Sequence, residues 1–112
     1  MTNNFEQESD VATEQAYQLS QAAIRIDQAR GMGAESLAAA LAENVDVWIA
    51  LVTIISRDDC RVEQGAKDNL KKLCKYVTEQ ALTEETPSDS GIDTLININL
   101  QISEGLLISA QT

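Results

Sequence analysis

Lys67, Lys71, Lys72 and Lys75 place half of the chain's eight basic residues within nine positions. Such a stripe of ammonium groups can dock an acidic partner, or it can be a solvated helix face with local pairs such as Lys75–Glu79. The other chemically capable side chains are sparse. Cys60 sits in "RDDCR" and Cys74 on an apolar stretch, and the chain has no histidine. Without a second ligand pair at suitable spacing, zinc binding is not expected. Cys74 is expected to behave as a small hydrophobe and Cys60 to be more exposed, both as reduced thiols. No Ser or Cys stands beside a candidate base, and no Gly-rich phosphate loop is present. The carboxylates fall on outward helix faces, so the sequence predicts no enzyme, no metal and no cofactor. Trp48, the only tryptophan, is either core or an anchor at the edge of a groove.

These residues need elements to position them. With one proline, five glycines and 44% hydrophobic residues over 112 positions, the composition allows one globular domain built mainly of helices. Residues 1–8 are polar and acidic and are expected to be disordered, with a single helical domain over 9–110. Ala12, Ala16, Leu19, Ala23 and Ile26 recur at helical spacing over about Ser9–Arg30, and "GMG" at 31–33 ends that stretch, with Gly31 as a left-handed cap. This stripe is small, so the first helix is expected to be the least firmly held. A second helix is read over Ala34–Ser56, with Leu37, Leu41, Val45, Trp48, Val52 and Ile55 inward, widened by Ala38, Ile49 and Leu51. A third, over Val62–Thr83, turns Ala66, Leu70, Leu73, Cys74, Val77 and Ala81 inward. "TEETPSDSG" reads as a loop.

The stretch "TLININLQIS" (94–103) alternates like a strand. Over 92–107 the alternation fails at Leu95–Ile96 and Leu106–Leu107, whereas a 100° repeat gathers Ile92, Leu95, Ile96, Ile98, Leu100, Ile102, Leu106 and Leu107 on one side. A fourth helix is therefore predicted from Ser90 to about Ser109, with Ser90 and Asp93 in a capping arrangement. Asn44, Asn99 and Ser103 lie within apolar arcs. The asparagines are expected to be buried and bonded to each other or to nearby backbone, because an unpartnered buried amide costs a few kcal/mol. The fold expected is all-α, a small bundle of four main helices.

Eighteen acidic residues against eight basic give a net charge of −10. That opposes unspecific binding to nucleic acid or an anionic membrane. The start "MTNNFEQESD" has no basic and apolar leader, and the run "VWIALVTII" is short for a bilayer, so a cytoplasmic location is expected.

Three stretches in order, "ALAENVDVWIAL" (40–51), "NLKKLCKYVTEQAL" (69–82) and "IDTLININLQISEGL" (92–106), resemble the FlaF family of flagellar regulators of alphaproteobacteria. The family pattern Ala-Leu-x-x-Asn-x-x-x-Trp-x-x-Leu falls on Ala40, Leu41, Asn44, Trp48 and Leu51. Its ending, Leu-x-x-x-Asn-x-x-Ile-x-Glu-Gly-Leu, falls on Leu95, Asn99, Ile102, Glu104, Gly105 and Leu106. Where the family carries a basic pair after the first Asn, this chain has Val45–Asp46; Leu100 replaces the basic residue after the second, and the proline opening the third helix is missing.

The resemblance covers about residues 13–107. It implies a non-enzymatic factor that binds flagellin, supports its synthesis and secretion, and opposes the repressor FlbT. Two alternatives stand beside it: an adaptor acting through another protein, and a structural helical homo-oligomer. With the first reading, Trp48, Leu51, Val52, Asn44, Asn99, Ile102 and Leu106 are the candidate partner-binding residues, uncovered by movement of the first helix.

Overall fold

A computed structural model describes residues 4–58, 60, 62–83 and 87–111, with side chains over 11–108. Four helices follow one another: α1 (Asn4–Ala29), α2 (Ala34–Ile55), α3 (Gln64–Leu82) and α4 (Asp89–Gln111). The stretch that alternates like a strand is thus helical throughout. Its β-branched residues disfavour a helix locally, but packing of the face with Ile92, Leu95, Asn99 and Ser103 outweighs that preference.

Several boundaries and roles differ from expectation. α1 begins at Asn4, ahead of the start expected at about Ser9. Glu6, Gln7 and Glu8 are good helix formers and nothing before Gly31 breaks the run. Residues 1–3 lie outside the described part. In the first turn, the left-handed role belongs to Gly33, at φ 105°, and not to Gly31. With ψ at 167°, Gly33 occupies a region open essentially to glycine alone. The cap of α4 is Ser88, two residues before the expected serine. Its Oγ accepts from the Gly91 amide at 3.1 Å, and its carbonyl takes the first helical bond from Ile92 at 2.9 Å.

Packing is unequal among the helices. Ser103 of α4 meets Ala16 of α1, Asn99 meets Leu19, and Asp93 meets Arg30. Positions fall along α4 as they rise along α1, so the two run antiparallel. α1–α4, α1–α2 and α2–α3 are the close helix pairs, and α3–α4 is not among them. Helices of this length laid side by side give an elongated body of 48 × 22 × 19 Å.

α1 is therefore the central element and not the loosest. Ala16, Leu19, Ala22, Ala23 and Ile26 are all buried. Small side chains let a neighbouring backbone come close, which raises contact per residue. α3, by contrast, fully buries only Leu70 and Val77 and leans on α2. Ala66, expected inward, is exposed, as are Ala38 and Ile49 of α2. The buried stripe of α2 runs Leu37, Ala40, Leu41, Asn44, Trp48, Leu51 and Ile55, one step round the helix from the predicted one.

By length and composition α2 as a whole could cross a bilayer, although its longest unbroken apolar run is short. In this fold its apolar stripe is instead taken up by the core.

Unequal packing has a measurable consequence. In native-state hydrogen exchange, the mid-helix amides of α3 (Leu70–Val77) are expected to exchange at least roughly tenfold faster than those of α1 (Leu19–Ile26), because α3 can detach from one neighbour without opening the rest. Equal protection in the two helices would contradict the packing order.

Candidate partner-binding site

A polar chain of three side chains runs through the centre of the α1–α2–α4 packing. Trp48 Nε1 donates to Asn99 Oδ1 at 2.9 Å. Asn99 Nδ2 donates to the Leu19 carbonyl at 3.0 Å and to Asn44 Oδ1 at 2.7 Å. Both asparagines and Trp48 are fully buried. The expected bond between the two asparagines is therefore present. Among the described residues, Asn44 Nδ2 has no hydrogen-bond partner, and neither does the buried Oε1 of Gln15. A network with an unmet donor fixes which residues face each other at some cost in stability. One turn on, Ser103 Oγ donates to the Ala16 carbonyl at 2.7 Å. At the far end Arg30 bonds both Asp93 (2.6 Å) and Asp27 (2.7 Å). The hydrogen bond to Asp93, ahead of the charges of Asp93 and Asp27, raises the already high pKa of this exposed guanidinium.

The residues proposed from sequence divide into two groups. Asn44, Trp48, Leu51 and Asn99 are sealed inside the chain, with Leu51 only 1% exposed. Val52, Ile102 and Leu106 are half-buried and reachable. Exposure of the first group through movement of α1 would require breaking the bonds by which the Leu19 and Ala16 carbonyls of α1 hold Asn99 and Ser103.

What the fold leaves open lies on the other flank of α4. Ser103 faces α1, and Ile98 and Ile102 lie on another flank of the same helix, roughly 140° and 100° round from it. These two, with Leu106, are half-buried and rest against the core. Leu73 and Tyr76 of α3 have the same character. α3 and α4 are not a close pair, and these five side chains are the half-buried apolar residues the two helices carry at the edge of the core. Leu73, Tyr76 and Ile98 are not among the residues proposed from sequence. Periodicity puts them on apolar faces, but only the helix neighbours reveal which flank is left uncovered.

Other chemistry is meagre. Both cysteines are free and half-buried. Among the described residues, no group of three His, Cys, Asp or Glu side chains is placed to hold a metal.

The family profile described as flagellar protein FlaF matches residues 3–106. The chain belongs to the FlaF family. The match runs through all four helices and includes Asn44, Trp48 and Asn99, so the buried network lies wholly within the FlaF region. This makes the chain a flagellar-related protein, in a family not known for enzymes. Neither a curated protein nor a solved structure is detectably similar to it.

Proposed function

We propose that this FlaF-family protein binds flagellin in the cytoplasm and supports its synthesis and secretion, opposing the FlbT repressor. Family membership sets the flagellar context. The observation that supports the binding reading is that Leu73 and Tyr76 on α3 and Ile98, Ile102 and Leu106 on α4 are half-buried on two helices that are not a close pair, and we read them as one seam. An amphipathic helix with apolar residues at i, i+3, i+4 and i+7 fits such a seam, and α3 is about 28 Å long, room for five turns. α3, held chiefly by α2, is the element that shifts to admit it. Burial at roughly 25 cal/mol per Å² makes micromolar affinity reachable after entropic losses.

The test is binding of separate N- and C-terminal flagellin segments by titration calorimetry. Y76S and I98S are expected to weaken binding roughly tenfold with the far-ultraviolet spectrum unchanged, and added salt should matter little. Unchanged affinity in folded variants of this kind would remove the seam from the reading. Failure of either segment to bind would remove flagellin.

A further inference from the structure

We infer that the outer face of α3 is a second docking surface, for an acidic segment of a partner protein, distinct from the apolar seam. Lys67, Lys71 and Lys75 repeat every four residues along about 12 Å of helix, with Lys72 beside them. Lys71, Lys72 and Lys75 are exposed and Lys67 is half-buried.

In a chain of net charge −10, nearby carboxylates would be expected to neutralise such a stripe. They do not. Arg25 and Arg30 make ion pairs, whereas among the described residues no carboxylate lies within 4.0 Å of these four ammonium groups. Asp68 stands four residues before Lys72, the favourable order for a helical pair, yet its carboxylate accepts from Gln64 Nε2 at 2.9 Å. Glu79, four residues after Lys75, makes no ion pair with it either. Like charges at four-residue spacing repel, so the stripe is a small local cost that an external anion would relieve.

Length and surroundings select the anion. The stripe covers about two helical turns, and carboxylates at matching four-residue spacing on a partner helix can meet it along its whole length. A nucleic acid carries a phosphate every 3.4 Å per strand and would run on past the stripe over a strongly acidic protein. The occupant assigned is thus an acidic helical protein segment. Its affinity is charge-based, unlike that of the seam.

The probe is a labelled helical peptide of alanine with glutamate at every fourth position, followed by fluorescence anisotropy with the full chain at about 20 mM salt. Its glutamine counterpart and a twelve-residue oligouridylate serve as comparisons. The acidic peptide alone should bind, and binding should fade as salt rises. K71Q/K75Q should weaken it roughly tenfold, the combined effect of two exposed ion pairs. N97D/Q101E changes net charge equally on the exposed face of α4 and should alter affinity less than twofold. Y76S and I98S should leave it unchanged, which separates this surface from the proposed flagellin seam. Equal losses in K71Q/K75Q and N97D/Q101E, or no loss in K71Q/K75Q, would overturn the assignment. Tighter binding of the oligouridylate would reassign the stripe to nucleic acid. Self-association in sedimentation that K71Q/K75Q abolishes would make the occupant a second copy of the chain.

Discussion

Replacing Asn99 with alanine is expected to destabilise the protein by roughly 3–5 kcal/mol, a large share of the stability of a domain this size. The residue joins three helices: it accepts from Trp48 on α2 and donates to the Leu19 carbonyl on α1 and to Asn44 Oδ1 on α2. Alanine leaves the indole N–H and the Asn44 oxygen buried without partners, at about 1–3 kcal/mol each, and adds a cavity. Leucine refills the space but strands the same two groups, so N99L should still cost about 2–3 kcal/mol. Asn44 is not equivalent. Its Nδ2 is already without a partner, and in N44L the Asn99 amide keeps the Leu19 carbonyl and the indole. N44L should therefore cost no more than about 1.5 kcal/mol. Urea unfolding followed by emission of Trp48, the sole tryptophan, measures all three variants. A loss below about 1 kcal/mol in N99A, or equal losses in N44L and N99L, would show that the network does not organise the core as its geometry implies.

Much of this arrangement is legible in the sequence, and the rest is not for definable reasons. α4 can be told from a strand because a 16-residue window separates two periods that a ten-residue window confuses. The buried asparagines are legible because polar residues inside an apolar arc require partners, and few are within reach. The misjudged items all depend on which helix lies next to which. Ala16 and Ala23 suggest weak adhesion if side-chain area is counted alone. In the fold both are buried on the stretch of α1 where the Ala16 and Leu19 carbonyls accept from side chains of α4. Ile49 belongs to the apolar arc of α2 by periodicity and is 50% exposed, because α1 and α3 do not cover that flank. The seam is hidden for the same reason. The apolar character of Tyr76 and Ile98 is readable, but that α3 and α4 are not a close pair is a property of the assembled bundle. Ser88 displaced Ser90 as the cap because a two-residue change in helix start is decided by local backbone geometry, which periodicity does not sense.

The close approach of α1 and α4 supplies the second large effect. Ala23 is 1% exposed and lies one turn beyond Leu19, whose carbonyl accepts from Asn99. A leucine at this position has no space to occupy without pushing a neighbouring helix outward. Overpacking of this kind typically costs 1–3 kcal/mol. If α4 is displaced, the Asn99 bond to Leu19 lengthens too, which brings the expected total for A23L to about 3 kcal/mol or more. The same substitution at Ala38, exposed on α2, should change stability by no more than about 0.5 kcal/mol. Glycine at position 23 tests the other direction: it should cost about 1 kcal/mol, chiefly from helix propensity, and leave the Asn99 network in place. Urea midpoints for A23L, A23G and A38L, read from Trp48 emission, decide the matter. If A23L is as stable as the parent chain, the small stripe of α1 is not the reason α4 packs so closely, and the centre of the bundle must lie with α2 and α3 instead.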